Sequence, residues 1–348
     1  MKPGKGARPY VVAVATPGRH AQRIPMPHAI RFHTTGGPEV LQWDDVEVPA
    51  PGPGEARIRH HAVGLNFIDV YHRIGLYPMP MPSGIGLEGA GVVEAVGSGV
   101  TDVAPGDRVA YASPPVGAYS EVRNMPVHRL LKLPDAVSFE QGAAMMLQGM
   151  TVQYLIKRTY KVQPGETVLF HAIAGGVGLI ACQWLKALGV TVIGTVGSDE
   201  KAALARDHGC HHVVNYRTEN FTERVREITG GAGVPVVYDS VGKDTFEGSV
   251  DCLRPLGVMV TFGNASGPVP PIDLAKIGRG SLFFTRPAFV AYTANRADLV
   301  AGANDLFEAV TSGKVTIDVR QRYPLHEAAQ AHRDLESRKT TGSTVLLP

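Results

Sequence analysis

Cysteine is scarce in this 348-residue chain, and its spacing builds nothing. Cys182, Cys210 and Cys252 are an odd set with no Cys-x-x-Cys pair. That excludes a disulfide framework and a thiolate zinc site, and a reducing, cytoplasmic setting is the simplest expectation. No uninterrupted apolar run is long enough for a transmembrane helix. An excess of one charge sign is also missing: 34 basic against 32 acidic residues leave a net charge of +2. Composition therefore makes no electrostatic case for nucleic acid or a membrane surface. The 40 glycines and 26 prolines have no fixed period, which excludes collagen-like and disordered readings and leaves many tight turns between short elements. The length suits two domains rather than one core.

Acidic residues are absent from Met1 to Pro38, while Lys2, Lys5, Arg8, Arg19 and Arg23 are basic. A transit peptide is basic and acid-poor in this way, but serine is missing here and proline interrupts any amphipathic helix. Val11–Ala15 is too short for a secretory core. Residues 1–28 are therefore expected to form a loosely ordered extension, with Met26 as an alternative start.

From Ala29 onward the pattern is rich in strands. His28–His33, Val40–Val48, Glu55–Leu65, Gly89–Val96, Asp107–Ala112 and Ala118–Arg123 are short runs between turn clusters, which predicts a small antiparallel barrel or sandwich. Near residue 150 the pattern changes. Val168–Ala172, Val190–Val196, His212–Tyr216, Val236–Asp239 and Gly257–Phe262 read as strands. The first is followed by a helix to Leu188 with Val177, Ile180, Trp184, Leu185 and Leu188 on one face. Lys201–His208 and Thr222–Thr229 supply further helices. Such alternation predicts crossover units and a parallel sheet. Asn304–Ser312 and Leu325–Ser337 are late helices, and Thr344–Leu347 is a last strand.

The turn Gly175-Gly176-Val177-Gly178 follows a strand and opens a helix, where a dinucleotide site needs it. Gly175 permits close approach of the backbone to a pyrophosphate and Gly178 close packing of helix on strand, while the helix N-terminus presents free amides. The first glycine of Gly-x-Gly-x-x-Gly is lacking, because Ile173 stands there. A carboxylate at the tip of the next strand is lacking too. That strand ends in Gly197-Ser198, with Asp199 one step later and Lys201 following. A small hydroxyl and a nearby cation leave room for a 2′-phosphate, so NADPH is expected over NADH.

Several segments together resemble the zinc-free quinone oxidoreductases (the zeta-crystallin-like family) of the medium-chain dehydrogenase/reductase superfamily. They include Asn66-Phe67-Ile68-Asp69-Val70-Tyr71, Gly75-Leu76-Tyr77-Pro78, Ala172 to Gly178, Gly194 to Ser198, Val214 to Arg217 and Val237 to Gly242. Phe262-Gly263-Asn264, Thr285-Arg286-Pro287 and Leu335 to Arg338 complete the set. The resemblance covers about residues 29–348. It implies an α/β protein with a GroES-like catalytic domain, from 29–149 and 288–348, around a Rossmann cofactor domain at 150–287. It also implies a homodimer and NADPH-dependent reduction of a quinone.

Carried over by position, cofactor contacts would be Asn66, Asp69, Thr151, Ala174, Gly175, Gly176, Val177, Gly178, Gly197, Ser198, Lys201, Tyr216, Ser240, Phe262, Gly263, Asn264, Phe284 and Arg338. Tyr71 and Tyr77 would stand at the acceptor as hydrogen-bond donors or proton sources, with Asn66 orienting them. The departure is Gln148, where many relatives carry Lys. Zinc-bearing cousins have Gly-His-Glu and a four-Cys loop. This chain reads Gly86-Leu87-Glu88, and its cysteines all lie in the dinucleotide half, so no metal is expected. The adjacent pairs His60-His61 and His211-His212 would point to opposite faces of their strands. Two other readings share the fold. One is a reductase of the double bond in an enone or alkenal. The other is a non-catalytic NADPH-binding or RNA-binding protein of the crystallin kind.

Overall fold

The computed structural model describes Met1 and residues 26–273, 275 and 280–348, so the expected extension at 1–28 lies almost wholly outside the described residues. In Glu55–Leu65, inward Ala56, Ile58, His60 and Ala62 alternate with outward Arg57, Arg59 and His61. This period of two makes the strand half-buried over most of its length. It is fully buried from Ala62 onward, where it runs beneath the large cavity described below.

That strand is central to a seven-stranded sheet. The order along the main path is Val319–Pro324, Ser343–Leu347, Glu55–Leu65, Glu88–Val96, Arg108–Ala112 and Leu131–Lys132, with Val122–Pro126 also paired to Glu55–Leu65. Sequence spacing suggests a purely antiparallel sheet, but Val319–Pro324 and Ser343–Leu347 pair in parallel. The helix Ala328–Glu336 lies between these two strands and makes the crossover that a parallel pair requires. A small antiparallel sheet of Gln42–Asp45, His28–Phe32 and Ser83–Gly84 covers the same core.

The second large sheet has six strands, all parallel. Its order is His212–Asn215, Thr191–Val196, Thr167–Phe170, Val234–Asp239, Leu253–Thr261 and Phe283–Thr285. The chain builds outward from Thr167–Phe170 in one direction and then restarts on its other side with Val234–Asp239. A crevice opens at such a reversal, above the carboxyl ends of the strands. The architecture is thus α/β, a GroES-like mixed sheet joined to a Rossmann sheet.

Between the two sheets runs the helix Phe139–Tyr154. Ser138 caps it: its Oγ accepts from the Gln141 backbone N–H (3.1 Å), and Gln141 Oε1 accepts from the Ser138 N–H (3.0 Å). From Gly142 to Tyr154 only Leu147 is not buried, so the helix has no polar face and no sequence periodicity to reveal it. The short helix Phe67–Arg73 was equally unmarked. Elsewhere the expected elements shift. Val40–Val48 becomes a tight turn at Pro38–Val40 and a strand at Gln42–Asp45, and Ala118–Arg123 gives way to Val122–Pro126. The helix expected at Asn304 begins at Arg296, with Asn295 Oδ1 accepting from the Asp298 N–H (2.8 Å).

Candidate active site

A cavity of about 960 Å³ lies above the crevice and reaches into the seven-stranded sheet. Most residues expected to touch a ligand line it, though they arrive from distant parts of the chain.

Its floor is the glycine turn. Gly175 caps the helix Gly176–Ala187 without any side-chain partner, so the first amides of that helix are free for an anion. A Cβ on Gly176 would run into Gln148 Oε1, and one on Gly178 into the backbone of Ile173 and Ala172. The missing first glycine has a structural counterpart one residue earlier: Ala172 takes the left-handed conformation, at φ 52°. Its N–H donates to Thr195 Oγ1 (3.3 Å), Thr195 Oγ1 is 2.9 Å from His171 Nδ1, and His171 Nε2 is 2.9 Å from Ser249 Oγ. Ser249 in turn donates to Asp239 Oδ2 (3.0 Å). Burial holds the His171 pKa down, so the ring is neutral. A neutral ring accepting at Nδ1 and donating at Nε2 satisfies the whole chain.

One end of the cavity is cationic. Lys201 Nζ donates to the Arg338 carbonyl (2.7 Å), and both residues line the wall together with Tyr216 and Gly197. Burial, then the charges of Arg338 and Arg217, lower the Lys201 pKa. Asp199, the carboxylate that comes one step late in the sequence, is engaged by Asn215 Nδ2 at 2.9 Å and does not line the cavity. Ser198 does not line it either, because its hydroxyl caps the helix Asp199–Asp207 through the Lys201 N–H (3.3 Å).

The other end carries Asn66, Tyr71 and Tyr77, with Gln148, Thr151, Phe262 and Gly263 alongside. The Tyr71 hydroxyl accepts from the Asn264 backbone N–H at 2.8 Å. Burial, offset in part by this bond, pushes its pKa up to about 12. Tyr77 meets Tyr71 edge to face, with ring centroids 5.4 Å apart. Asn66 does not orient the tyrosines as expected. Its Nδ2 donates to Glu88 Oε2 (2.6 Å) and its Oδ1 accepts from Gln148 Nε2 (3.1 Å), so the amide is held by these two side chains rather than by either tyrosine. Gln148 Oε1 accepts in turn from Ser343 Oγ (2.7 Å). Glu88 also accepts from the Leu147 N–H (2.9 Å), and burial raises its pKa to about 8.

Three further expected contacts are placed elsewhere. Asp69, in the first turn of the helix Phe67–Arg73, is fully buried and does not line the cavity, accepting from the Asn66 N–H and the Tyr119 hydroxyl (2.9 Å each). Burial pushes its pKa up to about 7. Asn264 contributes its backbone N–H rather than a lining side chain. Phe284 meets Phe246 at a tilt, with centroids 6.2 Å apart, against a core cluster of the parallel sheet. Ala174, Val177 and Ser240 line the cavity.

Sequence reading missed Arg286, which lines the acceptor end with Nη2 3.4 Å from the Tyr77 hydroxyl, and Glu88, the anchor of Asn66. Arg286 stands in a segment marked in the sequence only by the family resemblance, and Glu88 follows the position where zinc-bearing cousins carry His. Among the described residues no three His, Cys, Asp or Glu side chains are grouped to hold a metal ion. His60 is buried against Tyr111 and the Ser120 carbonyl, while His61 stacks on Phe139.

Comparison with known proteins places this geometry. Residues 52–135 match the alcohol dehydrogenase GroES-like domain, and residues 176–307 match a family described as zinc-binding dehydrogenase. A quinone oxidoreductase of Pseudomonas aeruginosa is 55% identical over 325 residues, covering 93% of this chain and all of the relative. A 2-haloacrylate reductase of Burkholderia is 50% identical over 326 residues, covering 91% of this chain and 98% of the relative. The crystal structure of Escherichia coli quinone oxidoreductase complexed with NADPH superposes with a TM-score of 0.91 at 51% identity, covering 92% of this chain and 100% of that one.

Proposed function

The chain belongs to the quinone oxidoreductase family of the medium-chain dehydrogenase/reductase superfamily, and from that premise we infer that it is an NADPH:quinone reductase. The observation that carries the reading is the polarity of the cavity. Free helix amides and the Lys201–Arg338 pair mark one side, and two phenols mark the other. The residues fit the cofactor. Glycine at 176 and 178 lets the turn pack directly against Gln148 and against the Ile173 backbone, and the helix N-terminus so placed offers amides to a pyrophosphate. Lys201 and Arg338 offer positive charge where Asp199 has turned away, which favours a 2′-phosphate over free ribose hydroxyls.

When bound, NADPH supplies a hydride, two electrons and one hydrogen nucleus, and one proton completes the reduction of quinone to hydroquinone. This chain's residues supply position and a hydrogen bond. Tyr71 oxygen accepts from Asn264, which leaves its own O–H free to donate toward an acceptor oxygen as negative charge builds there. The Asn66, Gln148 and Glu88 ladder fixes the wall beside the glycine turn. A quinone is already electrophilic, so holding the reacting atoms about 3–3.5 Å apart is the main requirement, and no Lewis acid is needed. A close variant, reduction of a conjugated double bond, is supported by the likeness to the Burkholderia 2-haloacrylate reductase and requires the same hydride geometry.

The same reading divides the chain into a catalytic unit at 29–149 with 288–348 and a cofactor unit at 150–287. The first boundary falls within the shared helix Phe139–Tyr154. A homodimer is supported by the strand Phe283–Thr285, which ends the six-stranded sheet and leaves Phe283 59% exposed beside Leu256 at 65%. Three buried free cysteines support a reducing, cytoplasmic setting. No helix of the described residues is long and apolar enough to cross a membrane. The test is an NADPH-oxidation screen against quinones, enones and aldehydes, with NADH in parallel. Turnover of quinones with NADPH is expected. Inactivity toward quinones, or equal use of NADH, would refute the assignment.

A further inference from the structure

The acceptor end of the cavity carries one cation that the hydride chemistry does not use. Arg286 lines the wall beside Tyr77 and Tyr71, on the chain just beyond the strand Phe283–Thr285. Among the described residues its polar contacts are two long ones, both to hydroxyls: Nη2 to Tyr77 at 3.4 Å and Nη1 to Thr261 Oγ1 at 3.5 Å. No carboxylate pairs with it among the described residues. The residues outside the description cannot supply one either, because 2–25, 274 and 276–279 contain no Asp or Glu.

Neither of the two carboxylates on the cavity lining pairs with Arg286. Glu219 is held by Arg224 (3.0 Å) and the Asn215 N–H (3.2 Å), and Asp244 follows the strand Val234–Asp239. Glu88 and Asp69 are buried and engaged by their own donors. An arginine with five donors, two weak contacts and no counter-charge is a ready partner for an anion presented in the plane of its fork.

Resting on the quinone reductase reading, we propose that Arg286 makes the acceptor site selective for conjugated acceptors with a fixed negative charge, a carboxylate or sulfonate on or beside the conjugated system. The ring or double bond then lies against the tyrosines while the anion is paired by Arg286. Binding excludes water from this end, so the pair is worth more there than on open surface.

The test compares 1,2-naphthoquinone with 1,2-naphthoquinone-4-sulfonate, taking the ratio of kcat/KM for the charged over the neutral acceptor. In the unaltered protein that ratio should fall as ionic strength rises, since the added attraction is screened. Arg286→Gln should lower the ratio by roughly 5- to 20-fold, Arg286→Glu should lower it further, and Arg286→Lys should restore much of it. A ratio unchanged by both salt and charge removal overturns the proposal while leaving quinone reduction intact. A parallel rise in the NADPH KM with both acceptors overturns it too, by assigning Arg286 to the cofactor. If neither quinone is reduced, the parent reading has failed and this one falls with it. The salt dependence needs no variant, so its absence overturns the proposal even if a substitution disturbs folding.

Discussion

Replacing Tyr71 with Phe removes one oxygen from a place where the structure gives it two tasks. It accepts the Asn264 N–H at 2.8 Å, and it points a free O–H into the cavity. Its pKa, pushed up to about 12, lies two units above that of a free phenol. Full proton transfer from it is therefore harder than from phenol in water. The hydroxyl is accordingly a better hydrogen-bond donor to a developing oxyanion than an outright acid. Loss of such a donor lowers turnover on the order of 10²-fold.

The second task gives an independent readout. Tyr71→Phe leaves the Asn264 N–H without its acceptor in a buried position, at a cost of about 1–3 kcal/mol in stability. Tyr77→Phe should do much less, since the Tyr77 hydroxyl has only the 3.4 Å approach of Arg286. Steady-state kinetics on a neutral quinone, with denaturant unfolding of the same samples, measures both. Because Tyr71 keeps its proton, kcat should show no Tyr71-dependent break below about pH 11. Wild-type turnover in both single variants and in the double variant would refute the donor role and leave the rings as pocket walls. Unchanged stability would refute the Asn264 contact.

Lys201→Glu should weaken NADPH binding by roughly 10- to 100-fold, through a lost cation and a new like-charge contact, with little change for NADH; parallel titrations of both cofactors check this. Gly178→Ala should destabilise by about 1–3 kcal/mol, because its Cβ meets backbone, whereas Gly176→Ala meets only the end of Gln148 and should mainly weaken cofactor binding. Unfolding curves and NADPH titrations separate the two. Glu88 and Asp69 hold their protons to about pH 8 and about pH 7 in the fold, above their ordinary 4.5 and 3.8. Their contribution to stability is therefore complete below about pH 4 and is lost as pH rises through about 7 to 8; Glu88→Gln should flatten that fall in denaturant midpoints. Elemental analysis should find far less than one zinc per chain, and activity should survive a strong chelator.

Much of the parallel sheet was legible because its elements obey local rules. Val190–Val196 carries no charge and only Thr191 and Thr195 as polar residues, as suits a strand covered on both faces, and the structure has Thr191–Val196 there. The helix after the glycine turn showed an apolar face that the fold buries. The seven-stranded sheet was legible in its strands but not in its closure, since pairing Ser343–Leu347 with Glu55–Leu65 joins the two ends of the described chain. The helix Phe139–Tyr154 was hidden for a physical reason: an element buried on every side has no polar stripe to set its period.

The site divides along the same line. Gly175, Gly176 and Gly178 announce themselves because a turn into a helix constrains three neighbouring positions at once. The network behind Asn66 does not, since Glu88, Gln148 and Ser343 are far apart in the chain and each residue type is common in other roles. Asp69 shows how a motif can mislead about contact. It sits three residues after Asn66, as a capping carboxylate should, and its bond to the Asn66 N–H fixes the start of the helix Phe67–Arg73. That helix aims Tyr71 at Asn264 and the cavity. Asp69 thus serves the site from behind it, and the spacing that made it look like a ligand contact is the spacing of a cap.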